Sequence, residues 1–220
     1  MKLALFDLDN TLLAGDSDYL WGEYLCEHNY VDAAEYHAGH DRFYRDYLAG
    51  KLDMDAFLQF QLGPLAGKSL AELEDRRRAY IDSKIRPVIL ERGRELIRRH
   101  RDEGHTLMII TATNRFLTAP IAKILEIDNL IATETELQDG RFTGRSFDVP
   151  SYREGKVMRL RAWLQQQEAS LCESWFYSDS HNDIPLLEFC DHAVAVDPDD
   201  RLRAHAGEHN WPIISLRDSH

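Results

Sequence analysis

The sequence predicts an α/β protein with a mostly parallel sheet and a helical insert after its first strand. Short apolar runs that end abruptly in polar residues alternate with helical stretches, which is the pattern of strand–helix–strand units. Residues 16–86 break this alternation because they contain no strand-like run. Ten of the 22 aromatic side chains fall between Tyr19 and Phe60, so the insert is expected to form its own small core, as a cap over the sheet.

Each element follows from a local pattern. The first strand is Leu3–Phe6, a buried apolar run that ends at Asp7. Similar runs predict further strands at 107–110, 175–177, 193–196 and 213–214, and helices are expected at 90–103, 115–126, 155–169 and 183–190. Asp139-Gly140 predicts a hairpin turn within 134–148. In parallel sheets, ligands bind at the carboxyl ends of the strands, which is where the polar residues of this chain gather.

Composition and charge limit the function classes. The chain has 220 residues, of which 44% are hydrophobic and 29% charged, as in ordinary globular proteins. The net charge of −12 disfavours nucleic-acid and membrane partners. Cys26, Cys172 and Cys190 are too few and too scattered for a disulfide framework or a CxxC zinc site. No apolar run approaches the length of a membrane span, so a soluble, cytoplasmic protein that acts on a small molecule is expected.

Two carboxylates follow the first strand at a spacing of two residues. In extended backbone, Asp7 and Asp9 would point to the same side and could face one pocket. Like charges held this close raise the pKa of one carboxyl, which leaves a pair able to act as nucleophile and proton donor. The alternative is a polar strand end or an N-cap for the next helix. The DxDxT pattern alone does not decide between them.

A second acidic pair, Asp179 and Asp183, follows a later strand. Mg²⁺ prefers carboxylate oxygens, so two acidic loops at neighbouring strand ends would supply a Mg²⁺ site. Asp183 could instead merely cap the following helix. Thr111 follows the second predicted strand and could donate to a phosphoryl oxygen, and Lys156 could neutralise charge beside the carboxylates. Neither of these two residues is diagnostic by itself; the combination is.

These motifs closely resemble those of the haloacid dehalogenase superfamily, which are DxDx(T/V), a Ser or Thr after the second core strand, a Lys, and a DxxxD-type acidic loop. They occur in that order at Asp7, Asp9, Thr11, Thr111, Lys156, Asp179 and Asp183. The helical insert, with Asp16-Ser17 at its start, resembles subgroup IB, which contains phosphoserine phosphatase. The resemblance implies a modified Rossmann core over residues 1–15 and 87–220, with a helical cap domain over 16–86.

The resemblance also implies a role for each matching residue. Asp7 would attack phosphorus and form an aspartyl-phosphate, and Asp9 would protonate the leaving alcohol and then activate water. The expected Mg²⁺ ligands are Asp7, the backbone carbonyl of Asp9, Asp179 and, in support, Asp183. The residues expected to bind phosphate or substrate are Thr11, Thr111, Lys156, Asn182, Asp16, Arg42 and Arg45. The aspartate at position 9 indicates phosphomonoester hydrolysis, because halide expulsion needs no proton donor.

The insert bears on the choice of substrate. Its many aromatic side chains and its acidic residues Asp16, Asp18 and Glu23 suit a flat, cationic leaving group, such as that of histidinol phosphate. Phosphoserine phosphatases typically have Ser-Gly-Gly and Gly-Asp-Gly where this chain has Thr-Ala-Thr and Ser-Asp-Ser, which disfavours phosphoserine. Arg42 and Arg45 could still bind its carboxylate, so a phosphoserine phosphatase is the alternative. A signalling or binding module without turnover is the alternative of another class.

The ten histidines raise the question of a zinc site. His205 and His209 could share one helix face, and His37 and His40 are also closely spaced. No third ligand is evident for the first pair, and isolated surface histidines are the commoner explanation of such spacing. Zinc is therefore not expected from the sequence.

Overall fold

A computed structural model describes residues 1–49 and 51–217, and these residues form seven β-strands and nine α-helices. The strands are β1 (Lys2–Phe6), β2 (Thr106–Asn114), β3 (Asn129–Gln138), β4 (Arg141–Phe147), β5 (Glu173–Ser178), β6 (His192–Val196) and β7 (Ile213–Ile214). The helices are α1 (Ser17–Glu27), α2 (Ala33–Leu48), α3 (Met54–Leu62), α4 (Leu70–Tyr80), α5 (Glu91–Asp102), α6 (Arg115–Ile124), α7 (Glu154–Leu164), α8 (Ile184–Phe189) and α9 (Asp200–His209). In these described parts of the chain, we find no helix with the length and apolar character needed to cross a bilayer.

The strands are arranged in the order β4-β3-β2-β1-β5-β6-β7, and every pairing is parallel except that of β3 with β4. β1 lies in the middle, where Leu5 is opposite Met108 of β2 and Phe176 of β5. The apolar residues of β1 are wholly buried, as expected for a strand that is covered on both faces. The predicted fold class, an α/β protein with a mostly parallel sheet, is confirmed.

This strand order places a ligand site beside β1. The sheet grows from β1 through β2 in one direction and through β5 in the other, and ligands of open α/β sheets bind where the order reverses. The amide of Asp7 donates to the carbonyl of Tyr177 at 2.9 Å, so the β1–β5 pairing continues to the last residue before the acidic motif. The residues that follow β1, β2 and β5 are therefore held at one edge of the sheet.

The chain divides into two compact units. The first contains the described residues of Met1–Asp16, Val88–Thr133 and Val149–His220, and the second contains those of Ser17–Pro87 and Glu134–Asp148. The predicted core range, 87–220, included the hairpin 134–148, which the structure places in the second unit. Backbone hydrogen bonds explain this difference: Gly67 donates to the carbonyl of Phe142 at 2.8 Å, and Phe142 donates to that of Lys68 at 2.9 Å.

The second unit has an aromatic core. The ring of Trp21 stacks on Tyr24 and meets the edge of Tyr80, and all three are almost completely buried. The Tyr80 hydroxyl donates to the carbonyl of Ser17 at 2.7 Å, which satisfies its polar atom. A Cβ at Gly22 would come within 2.2 Å of the Tyr36 ring, so a glycine is needed for the close approach of α1 and α2. The clustering of aromatic residues in the insert is thus a packing feature of this unit.

Candidate active site

The side chains predicted to carry the chemistry meet in the first unit, around a buried lysine. Lys156 lies in the first turn of α7, and its Nζ is 2.7 Å from Asp7 Oδ1 and 2.7 Å from both carboxylate oxygens of Asp183. The three side chains are 3%, 9% and 4% exposed, respectively. Gly155 makes this placement possible, because a Cβ there would come within 2.2 Å of the Pro150 carbonyl oxygen.

The Asp183 carboxylate accepts hydrogen bonds from two side chains, and it does not cap the following helix. It stands at the N-cap position of α8, but its side chain makes no capping hydrogen bond. Its carboxylate accepts instead from Lys156 Nζ and, at 2.7 Å, from Ser178 Oγ. The alternative that Asp183 merely caps the helix is therefore wrong. Its contacts suit a residue that positions Lys156, whereas the metal-supporting role expected for it stays a prediction.

The negative charge of this cluster is only partly balanced. Burial raises the pKa of Asp7 to about 7, with Asp183 and Asp9 adding to the effect and Lys156 opposing it. Burial likewise raises the pKa of Asp179 well above its usual range, and the charges of Asp7 and Asp183 act in the same direction. Burial alone would lower the pKa of Lys156, but the attraction of Asp183 and Asp7 outweighs it and raises that pKa. A cation in addition to Lys156 would stabilise the ionised carboxylates.

Thr11 connects the two acidic motifs. Its fully buried hydroxyl lies 3.1 Å from Asp179 Oδ1 and 3.4 Å from Asp7 Oδ2, and it accepts the Asp179 amide at 3.1 Å. Thr11 is predicted to bind phosphate or substrate, but these contacts occupy its hydroxyl. We therefore interpret Thr11 as a residue that positions Asp7 and Asp179.

Asp9 is oriented from the neighbouring strand by two threonines. Thr113 Oγ1 donates to Asp9 Oδ2 at 2.8 Å, and Thr111 Oγ1 approaches the same oxygen at 3.4 Å. Thr113 is missing from the sequence-based prediction because the strand was expected to end at Ile110, whereas β2 continues to Asn114. Since alternate residues of a strand share a face, Thr111 should have indicated Thr113.

Asn182 lies in a second polar cluster next to Asp183. Its side-chain oxygen accepts from the Tyr152 hydroxyl at 2.9 Å and from Arg153 Nε at 2.8 Å. Arg153 has φ 49° and ψ −124°, a conformation that strains any residue except glycine. The sequence gives no signal for Tyr152 or Arg153 other than their position just before Gly155 and Lys156, because their roles depend on a contact across 29 or 30 residues.

Three residues predicted to bind substrate, Asp16, Arg42 and Arg45, lie at exposed positions. Asp16 is exposed and directly precedes α1. Arg42 and Arg45 are exposed on α2 in the second unit. The Arg42 guanidinium packs over the Phe43 ring at 4.5 Å, and Arg45 Nε donates to the Asp41 carbonyl at 3.2 Å. Their substrate contacts stay predictions.

Chemically, the cluster brings together the carboxylates of Asp7 and Asp9 and the cationic side chain of Lys156. The carboxylate of Asp7 is held by Lys156, and Asp9 is oriented two residues further along the chain. The oxygen donors of Asp7, Asp179 and the Asp9 backbone carbonyl are those that a hard divalent cation prefers. The raised pKa values of Asp7 and Asp179 mark where such a cation would be stabilised. The residues present therefore fit Mg²⁺.

Two known phosphatases align with almost all of this chain. It is 43% identical over 220 residues to a histidinol-phosphatase of Neisseria meningitidis serogroup C (strain 8013), covering 98% of this chain and 99% of that protein. It is 34% identical over 217 residues to phosphoserine phosphatase SerB1 of Mycobacterium tuberculosis (strain ATCC 25618 / H37Rv), covering 97% of this chain and 70% of that protein. The prediction that the enzyme class is phosphatase is confirmed.

The fold and the family agree with this relationship. A crystal structure of a protein of unknown function from Bordetella pertussis Tohama I superimposes with a TM-score of 0.92 at 40% identity, covering 98% of this chain and 99% of that one. The profile of the haloacid dehalogenase-like hydrolases matches residues 4–188, which include the series of motif residues from Asp7 to Asp183. The chain therefore belongs to the haloacid dehalogenase-like hydrolases, as the order of its motifs predicts.

Proposed function

We propose that this chain is a Mg²⁺-dependent phosphatase that hydrolyses a small metabolite phosphomonoester through an aspartyl-phosphate on Asp7, and that its substrate is histidinol phosphate. The observation that carries the proposal is the contact of 2.7 Å between the buried Lys156 and Asp7, with Asp9 oriented beside them by Thr113. Proteins of this fold generally use a divalent metal, and the oxygen donors of the site support Mg²⁺.

In the first step, Asp7 attacks phosphorus and the bond from phosphorus to the alcohol oxygen breaks. Asp7 Oδ1 accepts the short Lys156 hydrogen bond, whereas Oδ2 has only the longer contact of 3.4 Å with the Thr11 hydroxyl and is therefore proposed as the attacking oxygen. Asp9 gives its proton to the departing alkoxide. Lys156 offsets charge on the phosphoryl oxygens, and phosphoryl transfer depends mainly on such positioning and neutralisation. Mg²⁺ held by Asp7, Asp179 and the Asp9 carbonyl would supply further charge neutralisation.

In the second step, water attacks the phosphoryl group on Asp7. Asp9, now a carboxylate, takes a proton from that water, so that phosphate is released and both aspartates return to their starting states. Thr111 and Thr113 keep the Asp9 carboxylate in place for both proton transfers. Asn182 lies beside Asp183 and is proposed to contact the phosphate, with Tyr152 and Arg153 fixing its side chain.

Two observations favour histidinol phosphate as the substrate, one from a related protein and one from the sequence of the insert. The relative named for that substrate is 43% identical and matches this chain over nearly its whole length. The aromatic and acidic composition of the insert suits a cationic leaving group. Phosphoserine is the second candidate, because the relative that is 34% identical is named a phosphoserine phosphatase.

The function is tested by phosphate release from histidinol phosphate, with and without Mg²⁺. Asp7→Asn should reduce turnover to background, whereas Asp75→Asn, a matched change at a side chain that is 93% exposed, should leave it unchanged. Activity in EDTA equal to that in Mg²⁺ would contradict the metal assignment. Labelling of Asp7 without repeated turnover would instead indicate the signalling module.

The substrate is tested by comparing kcat/KM for histidinol phosphate and phosphoserine. The proposal expects histidinol phosphate to lead by at least about tenfold, which corresponds to about 1.4 kcal/mol of transition-state binding. Replacing both Arg42 and Arg45 by alanine should leave histidinol phosphate hydrolysis intact. If that change lowers phosphoserine hydrolysis and phosphoserine is the better substrate, the assignment moves to the second candidate.

A cytoplasmic location, favoured by the free thiols of the three cysteines, belongs to the same proposal.

A further inference from the structure

A second cluster of metal-binding side chains lies in the first unit and shares no residue with the candidate active site. It consists of Glu188 in α8 and of His205 and His209 in α9. One ligand atom from each of the three lies within 4.8 Å of the others. The sequence shows the two histidines at helical spacing. It does not indicate the third side chain, because Glu188 lies near them only in the folded chain.

Core packing holds the two helices in this arrangement. Leu187 of α8 and Leu202 and Ala206 of α9 are fully buried in one hydrophobic cluster. Glu188 and His205 are direct neighbours of residues in that cluster, so the relative position of their backbones is fixed by it. A site whose ligands sit on packed helices is better organised than one built on loops.

The hydrogen bonding of His209 leaves one ring nitrogen open to a metal. Its Nδ1 lies 2.9 Å from the carbonyl oxygen of His205. A carbonyl oxygen can only accept, so Nδ1 carries a proton, and in the neutral ring Nε2 has the lone pair that a metal would bind. A histidine that ligates a metal usually donates its other ring N–H in this way, which fixes the orientation of the ring.

The contact between His205 and Glu188 lacks the geometry of a hydrogen bond. His205 Nε2 is 3.2 Å from Glu188 Oε1, yet this buried nitrogen has no hydrogen-bond partner among the described residues. Buried ring nitrogens are rarely left without a partner. Two ligand atoms on a tetrahedral zinc ion with bonds of about 2.0–2.1 Å are about 3.3 Å apart. The observed separation of 3.2 Å is therefore compatible with two ligands of one ion. The rings of His205 and His209 are stacked with their centroids 4.0 Å apart, so one ring has to turn before both imidazoles can bind the same ion.

We propose that Glu188, His205 and His209 bind a divalent transition-metal ion of the zinc type, with water as the fourth ligand. Two imidazoles and one carboxylate favour zinc over Mg²⁺, which prefers oxygen donors alone. The site would link α8 to α9. Because α8 follows Asp183 directly, the link would also hold the chain segment that leaves the active site.

Trp211 provides a reporter inside the cluster. Its ring centroid is 4.9 Å from that of His205 and 5.4 Å from that of His209. Cu²⁺ and Ni²⁺ are open-shell ions that bind imidazole strongly, so at this site they should quench the Trp211 fluorescence. Only the part of the response that is lost in Trp211→Phe is assigned to this site, because Trp175 lies beside another group that could bind these ions, His100, Glu103 and His105.

The test titrates Zn²⁺ into the full-length protein in excess Mg²⁺, by calorimetry and by competition with a chromogenic chelator. The parent protein should bind one Zn²⁺ ion that Mg²⁺ does not displace. His209→Ala and Glu188→Gln should each weaken that binding at least tenfold, whereas His37→Ala, at an exposed histidine in the second unit, should not change it. The His209 variant should keep its phosphatase activity in Mg²⁺, which separates loss of the site from loss of the fold.

Two results would overturn the proposal. One is the absence of bound Zn²⁺ in the parent protein when Mg²⁺ is in excess. The other is unchanged Zn²⁺ affinity in both the His209 and the Glu188 variants. X-ray absorption at the zinc edge supplies an independent measurement, and it should show two imidazoles and oxygen ligands; a spectrum with oxygen ligands alone would place the ion elsewhere. Neither result affects the proposed phosphatase reaction, which uses other residues.

Discussion

Replacing Lys156 by methionine removes the cation that contacts Asp7 and Asp183. Methionine keeps the length and apolar character of the lysine stem, so the change isolates the charge. Lys156 is 3% exposed and lies 2.7 Å from both partners, which makes the two carboxylates its buried counterions. Removing one partner from a buried ion pair typically costs about 3–5 kcal/mol of unfolding free energy.

The lower end of that range is expected for this site. The pKa of Asp7 is already raised to about 7, so without Lys156 its carboxyl will bind a proton near neutral pH and remove part of the unpaired charge. A loss of about 3 kcal/mol corresponds to a fall of about 1–1.5 M in the urea midpoint, since m is about 2–3 kcal/mol/M for a chain of this size. The difference from the parent protein should shrink at lower pH, where the Asp7 carboxyl becomes neutral.

The assay is urea unfolding in EDTA at pH 7.5, followed by circular dichroism. Lys123→Met, at an exposed position of α6, is the matched control and should change the unfolding free energy by less than about 0.5 kcal/mol. Adding Asp183→Asn to the Lys156 variant should recover at least about 1 kcal/mol, because it removes one unpaired charge and keeps an acceptor for Ser178. A Lys156 variant as stable as the parent, or a double variant less stable than the single one, would refute the reasoning.

Three further outcomes follow from the same site. Because the pKa of Asp7 is raised in the folded state, ionisation of Asp7 destabilises the parent protein as the pH rises from 5 to 7 in EDTA. The unfolding free energy of Asp7→Asn should therefore rise relative to that of the parent, by at most about 1.4 kcal/mol per pH unit. Urea midpoints of the two proteins that differ by a constant amount over this pH range would contradict this. Thr113→Val should lower kcat about tenfold for an alkyl phosphate and much less for p-nitrophenyl phosphate, whose leaving group needs no proton from Asp9; equal losses would exclude the orienting role. Arg153→Gly should be about 1 kcal/mol more stable than Arg153→Ala in urea, since only glycine relieves the strain at φ 49°, and the reverse order would show that the backbone relaxes.

Local sequence patterns predict the part of the site that stands at strand ends. Asp7, Asp9 and Asp179 lie just after the buried strands β1 and β5. In a parallel sheet, residues at the carboxyl ends of the strands lie along one edge, and this does not depend on contacts made elsewhere in the chain. The end of β2 is less predictable. Thr111 and Thr113 look like loop residues because they are polar, yet they continue the strand and face inward towards Asp9.

Contacts between distant segments could not be predicted from local patterns. Asp139-Gly140 correctly indicates a turn, but β3 is one continuous strand whose second half leaves the first unit, and no local pattern marks that division. The hydrogen bond from Arg153 to Asn182 accompanies a strained backbone conformation at Arg153, and an arginine in the sequence does not predict such a conformation. Glu188 becomes a candidate ligand only when α8 and α9 pack together.

The departures from local stability described above lie directly after β1 and directly before α7. β1 itself is free of such conflict: its apolar residues are wholly buried and pair in register on both sides. Directly after β1 comes Asp7, a carboxyl whose pKa burial has raised to about 7, and directly before α7 comes Arg153, in a glycine-like conformation. Local conflicts of this kind persist where function requires them and the surrounding structure supplies the stability. Asp7 and Lys156 can therefore be buried together because β1 and its neighbours hold the position, and the same burial keeps water from screening the contact on which the proposed chemistry depends.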